Sequence, residues 1–195
     1  MPICIVSGFM RTGTSAMMSA LIAGGMDAAW SKDRDKLAES KFDGHYHPNK
    51  SGLYEVSLAE YAEPTFPLQY QGKLIKVMSW GLDGLAVNPE GYRIILMQRD
   101  KEEIRQSFEA FFEKPLNMPW FLRYEERMER AFTMLSNRRD VTSVHRIQYR
   151  TLVDNPLDVM AYVASLGWPI DSVTSAAVID PAQCRFRREN LTVGI

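Results

Sequence analysis

The chain has 195 residues, enough to bury a complete core in a single domain spanning residues 1–195, and its 46% hydrophobic and 24% charged content is that of a globular protein. A formal net charge of −1 gives no electrostatic reason to expect nucleic acid or an anionic membrane surface as partner. No apolar run reaches membrane-spanning length, the first strand-like run leaves no room for a signal peptide, and the two distant cysteines, Cys4 and Cys184, suit a reducing compartment, so a cytoplasmic location is expected.

Ile3-Cys4-Ile5-Val6 reads as a buried strand, and Ala16-Met17-Met18-Ser19-Ala20-Leu21-Ile22 as part of a helix over residues 14–24 stopped by Gly24-Gly25. Between them lies Ser7-Gly8-Phe9-Met10-Arg11-Thr12-Gly13-Thr14-Ser15. A glycine-flanked loop joining strand to helix aims backbone N–H groups and a helix N-terminus at one spot, which makes an anion site. The spacing from Gly8 to Gly13 is that of a nucleotide-triphosphate loop, G-x-x-x-x-G-K-[ST], but Thr14 stands where the lysine belongs. That lysine reaches the β- and γ-phosphates, so an ordinary ATPase or kinase is disfavoured. Arg11 is the cation inside the loop.

Residues 26–52 are polar and irregular, with a mixed-sign cluster at residues 32–36 that suits a solvated face. His45 and His47 alternate, but no third ligand is spaced to join them, and no metal is expected. Gly52-Leu53-Tyr54-Glu55 leads into a helix expected to run through Tyr61 and stop before Pro64. Leu74-Ile75-Lys76-Val77-Met78 reads as a short buried strand in which the charged Lys76 is the odd residue. The apolar run from Tyr92 to Met97 suits a parallel strand covered on both faces. After Arg99, Asp100 is placed as an N-cap with Glu103 three residues on, opening a helix to about Phe112. Phe108, Phe111, Phe112, Trp120, Phe121, Tyr124, Met128, Phe132 and Leu135 recur at helical spacing as core stripes, with a second helix expected from about Pro119 to Leu135. A last strand is expected over Val144–Tyr149, then a turn, a helix from Pro156 to Leu166 and a stop at Gly167.

Several of these stretches resemble the sulfotransferases that use 3′-phosphoadenosine 5′-phosphosulfate (PAPS). Arg11-Thr12-Gly13-Thr14-Ser15 is similar to their Arg/Lys-Ser-Gly-Thr-Thr/Ser loop, Arg99 with Ser107 to their strand-end arginine and helix serine, and Tyr149 to Pro169 to their Tyr-x-x-Leu-Val-x-x-Pro…Leu-Gly-x-Pro stretch. The resemblance implies a three-layer α/β fold of the P-loop type with a mainly parallel central sheet. It further implies that Arg11, Thr12, Gly13, Thr14 and Ser15 hold the 5′-phosphosulfate, and that Arg99 and Ser107 grip the 3′-phosphate. Arg187 and Arg188 would close that site, although the family's glycine is replaced by Glu189. Lys76 matches the lysine facing the sulfuryl group. Met78 replaces the histidine base of the cytosolic branch, and Ala16 its adenine-stacking tryptophan, which leans the likeness toward the bacterial and Golgi-type branches. Glu55, in a Gly-aromatic-Glu element, is then the expected base.

The expected activity is transfer of a sulfuryl group from PAPS to a hydroxyl or amine of a small-molecule or glycan-like acceptor, with Arg11, Lys76 and Glu55 as catalytic groups. Nucleotide binding without turnover and phosphoryl transfer are the alternatives. Arg99→Ala is expected to weaken nucleotide binding about ten- to a hundred-fold while sparing the ligand-free fold, unless Arg99 pairs with a neighbouring carboxylate.

Overall fold

A computed structural model describes residues 1–29, 56 and 58–184. Its centre is a four-stranded sheet, β1 (Ile3–Gly8), β2 (Leu74–Met78), β3 (Tyr92–Gln98) and β4 (Val141–Gln148), in the order β2-β1-β3-β4 with every pair parallel. Parallel neighbours need crossover connections, which the helices supply. These are α1 (Thr14–Ala23), α2 (Leu58–Tyr61), α3 (Phe66–Tyr70), α4 (Lys101–Phe112), α5 (Met118–Ser136), α6 (Tyr149–Asp154), α7 (Pro156–Ser165) and α8 (Ser172–Ala177). Among the described residues no helix is long and apolar enough to cross a membrane.

Alternation along each strand sorts the core into two layers. Val6, Leu74, Ile95 and Met97 pack with Met17 and Leu21 of α1, Leu152 of α6, Met160 of α7 and Trp168. Ile5, Ile75, Val77, Ile94 and Leu96 face the other way, onto Tyr61, Phe66 and Ala131 and Leu135 of α5. The expected α/β architecture with helices on both faces of the sheet is what forms. A third cluster sits beyond the strand ends, where Phe9 packs among Ile104, Phe108, Phe121 and Tyr124. The aromatic stripes of α4 and α5 are therefore largely core, with Trp120 left 37% exposed.

β1 is followed in the chain by the strand on one side of it and then by the strand on the other, so the order reverses between β1 and β3. In open α/β sheets the crevice outside the carboxyl ends of the strands at such a reversal is where ligands bind. The Gly8–Ser15 loop follows β1 and Arg99 follows β3, so the sheet brings both to that crevice.

Two boundaries differ from the expectation. β4 begins at Val141, three residues early, because Val141 is drawn into register with Tyr92 at the start of β3. Tyr149 opens α6 directly instead of ending the strand.

Candidate functional site

The loop is folded by close approaches that fix its residue types. A Cβ on Gly8 would sit 2.5 Å from Thr12 Oγ1 and 2.9 Å from the Met97 carbonyl. Thr12, buried, donates its hydroxyl to the Phe9 carbonyl at 2.7 Å. Phe9 anchors the loop from below, its ring 4.5 Å from that of Tyr124 and 4.9 Å from that of Phe121. Gly13 has φ 91°, and a Cβ there would lie 2.1 Å from Tyr149 Cδ2, so both conformation and space demand glycine. Met17 N–H donates to the Gly13 carbonyl at 3.1 Å, the first helical bond of α1. The N–H groups of the turn before it have no intrahelical acceptor, and no acidic residue occupies the first turn. An anion is the complement of such a terminus.

Side chains from β2 and from the end of β3 meet the loop. Lys76 on β2 is 6% exposed and donates Nζ to Ser15 Oγ at 3.3 Å, which places an ammonium at the start of α1. It follows from register: Lys76 pairs with Val6 and shares the α1 side of the sheet with Leu74. Arg11, in the left-handed region at φ 69°, turns its side chain toward α4 instead. Its Nε donates to Ser107 Oγ at 3.1 Å and its guanidinium lies 4.2 Å from the centre of the Phe111 ring. Arg99 donates Nη1 to the Arg11 carbonyl at 3.1 Å and Nε to Glu103 at 2.9 Å, with both side chains of that ion pair under a tenth exposed. The Arg99 guanidinium also covers the Tyr149 ring, 4.8 Å from its centre. Arg150 Nη1 approaches the other Glu103 oxygen at 3.8 Å.

Arg11, Thr12, Gly13, Thr14, Ser15, Lys76, Arg99 and Ser107 thus gather at one place. Asp100 caps α4 as expected, accepting from the N–H groups of Glu102 and Glu103. Glu103, expected as the partner in a capping box, instead carries the carboxylate that pairs with Arg99. Glu55, Arg187 and Arg188 lie outside the described residues, as do His45 and His47. Sequence reasoning missed Tyr149, Arg150 and Phe111 as parts of this site. Tyr149 carried a signal as the first residue of the Tyr-x-x-Leu-Val stretch; the other two carried none.

Three titratable side chains of the described residues are poor proton acceptors for the site. Burial pushes the Tyr124 phenol far above its ordinary value, against a smaller pull from Arg127. Burial, then the neighbouring Cys184, raises that of Tyr149 despite Arg99 and Arg11. His145, its pKa lowered by burial, is engaged with the Tyr162 hydroxyl of α7 at 3.3 Å. Among the described residues no cluster of three His, Cys, Asp or Glu could hold a metal ion. A cavity of about 1050 Å³ opens past Arg99 between β3, β4, α4 and α5. Of the carboxylates that line it, Glu125 pairs with Lys101, Glu129 with Arg146 and Asp154 with Arg150.

Fold and loop together define a class: an α/β fold of the P-loop type with a glycine-flanked strand-to-helix loop at the sheet's reversal point. Solved structures make that class narrower. The chain resembles sulfotransferase STF1 from Mycobacterium tuberculosis with a TM-score of 0.55, 12% identity, and coverage of 92% of this chain and 71% of that one. It also resembles the sulfotransferase domain of the olefin synthase of Synechococcus PCC 7002, with a TM-score of 0.51, 16% identity, and coverage of 96% and 83%. The fold is sulfotransferase-like. No family model matches the sequence, and no curated protein does.

Proposed function

We propose that the chain is a sulfotransferase with PAPS as donor and a hydroxyl or amine of a small-molecule or glycan-like molecule as acceptor. The observation that carries this reading is the joining of the two anion-binding elements: Arg11 of the loop bonds Ser107 of α4, while Arg99 bonds the Arg11 backbone. A donor with phosphate groups at both its 5′ and 3′ positions suits such a paired site; a nucleoside triphosphate also needs the lysine that Thr14 replaces. In this reading the amides of Gly13, Thr14 and Ser15 bind the 5′-phosphosulfate, and Arg99 with Ser107 binds the 3′-phosphate. Lys76 stands beside Ser15 to neutralise the bridging oxygen as the sulfur–oxygen bond to phosphate breaks. The acceptor oxygen or nitrogen forms the new bond to sulfur, adenosine 3′,5′-bisphosphate leaves, and the acceptor's proton passes to a base. Glu55 is the proposed base, supported by its neighbour in the chain: Val56 N–H donates to the Lys76 carbonyl at 2.8 Å.

The test is titration calorimetry with adenosine 3′,5′-bisphosphate and with ATP, each with and without Mg²⁺. The bisphosphate is expected to bind without magnesium and more tightly than ATP. Magnesium-dependent ATP binding as the tighter event would return the chain to phosphoryl transfer.

A further inference from the structure

The loop is held from β2 as well as from β3. Ser79, the first residue beyond β2, is 2% exposed, and its hydroxyl donates to the Gly8 carbonyl at 2.9 Å. Gly8 and Met78 are the last register pair of β1 and β2, so the Ser79 side chain carries the tie between the two strands one residue further, into the loop. Earlier on the same strand, Lys76 Nζ donates to Ser15 Oγ. β2 therefore touches the loop both where it begins and where α1 begins. Ser79 is itself held in place. Its neighbour Trp80 packs edge-on against Tyr124 of α5, 5.8 Å between ring centres, and Arg127 of α5 donates to the Trp80 carbonyl at 3.0 Å.

What the Ser79 bond restrains is a peptide unit. Gly8 has no room for a Cβ, and a glycine offers the least resistance to rotation of the peptide unit that follows it. In a trans peptide the carbonyl and the next N–H point in opposite directions, so holding the Gly8 carbonyl sets the direction of the Phe9 N–H. Thr12 holds the Phe9 carbonyl and Arg99 the Arg11 carbonyl in the same way. An anion-binding loop presents N–H groups, and a carbonyl oxygen turned inward would repel the ligand. Of the peptide units so held, Gly8–Phe9 is the one that follows a glycine.

We infer that Ser79 is a positioning residue for the donor, keeping the loop in its anion-binding conformation without touching the nucleotide. The inference rests on the proposed donor. Without the hydroxyl the Gly8 carbonyl loses this donor, and the peptide unit samples orientations in which the loop does not bind. Apparent affinity then falls with the fraction of molecules whose loop stays competent. Because the effect lies in the loop, it falls alike on every ligand whose 5′ group the loop holds.

The experiment titrates adenosine 3′,5′-bisphosphate and adenosine 5′-monophosphate by calorimetry into the parent, Ser79→Ala, Ser79→Cys and Ser79→Thr, with urea midpoints for the ligand-free proteins. Ser79→Ala should weaken both ligands by about three- to ten-fold, the worth of one hydrogen bond, and leave the ratio between them within about two-fold of the parent's. Ser79→Cys fills the same space with a weaker donor and should show the same direction of loss, which keeps the test open should the alanine variant not fold. Ser79→Thr keeps the hydroxyl and should bring both affinities back to within about two-fold of the parent's. Folded alanine and cysteine variants that bind both ligands like the parent, with only the urea midpoint lowered, would confine the bond to stability and overturn the inference. A loss for the bisphosphate alone would move the effect to the 3′-phosphate and overturn it as well, with the donor reading left standing. A parent that binds neither ligand would overturn the donor reading, and the inference with it.

Discussion

Arg99 shows how one side chain can be read two ways from sequence, as an anion ligand or as the partner of a carboxylate. It stands at the end of β3 where an anion ligand belongs, and it is also the buried partner of Glu103. Burying an isolated carboxylate is costly, so the pair has to be treated as a unit. Arg99→Ala leaves Glu103, 3% exposed, facing Arg150 at 3.8 Å as a more distant cation and removes the bond to the Arg11 carbonyl. The expectation that this substitution spares the ligand-free fold therefore changes. A loss of about 3 kcal/mol is expected from breaking one side of a buried pair, or roughly 6–12 °C in melting temperature for a chain of this length. Bisphosphate affinity should fall as well, because the loop loses its clamp. A ligand-free urea midpoint equal to the parent's would show that Glu103 is satisfied without Arg99.

At the level of elements, the join between β3 and β4 depends on a second, half-buried charge. Asp140 precedes β4, accepts from Arg138 Nε at 2.6 Å and from the Asn88 N–H at 2.9 Å, and lends its carbonyl to the Tyr92 N–H at 2.8 Å. Burial alone would raise its pKa; the bonds from Arg138 and Asn88 outweigh burial and hold it below the ordinary 3.8. A folded-state pKa below the unfolded one means that the unfolded chain takes up its proton first as pH falls. The stabilisation is thus complete above the ordinary value and is lost as pH drops through the lowered one. Asp140→Asn should cost about 1–2 kcal/mol near pH 7, and the gap between parent and variant should close below about pH 4. Urea midpoints across pH 3 to 7 measure it, and a gap constant with pH would assign the effect to shape. This join also marks where sequence reading stops. β1, β2 and β3 are mainly apolar runs covered on both faces, which makes them legible as strands. β4 mixes half-exposed Ser143, Val144 and His145 with exposed Thr142 and Arg146, so its true start is legible only from its register with β3. The short α3 carries a proline near its start and follows no helical period. In the site, the loop and Lys76 stood out as residue types out of place in a plain core, and Ser107 was singled out only by the family resemblance. The direction of Arg11 and the seating of Tyr149 on Gly13 did not, because both depend on elements brought together only by the sheet.

Across the whole molecule, the sheet spreads the site's cations over more than one strand. The crevice between β1 and β3 collects Arg11, Arg99 and Ser107, whereas Lys76 stands on β2, one strand further over. The outer edge of β2 is not bare. Ala28 bridges Leu74, the Ala29 N–H donates to the Leu74 carbonyl at 2.9 Å, and the Val56 N–H donates to the Lys76 carbonyl at 2.8 Å. The described residues on either side of residues 30–55 are therefore fastened to the strand that bears Lys76. The described alternatives are weak: Met78 cannot accept a proton, Tyr124 and Tyr149 have raised pKa values, and His145 is engaged with Tyr162. Glu55, adjacent to Val56 in the chain, is the proposed base. Glu55→Gln keeps size and polarity and removes basicity, so turnover should fall by about a hundred-fold or more, the usual range for a general base. Bisphosphate affinity should stay within about three-fold of the parent's, since the loss is confined to the transition state. The measurement pairs a transfer assay, on an acceptor first found active with the parent, with calorimetry on the same two proteins. A variant that turns over like the parent would remove Glu55 from the reaction, and a parallel loss of bisphosphate affinity would make it a residue of the donor site.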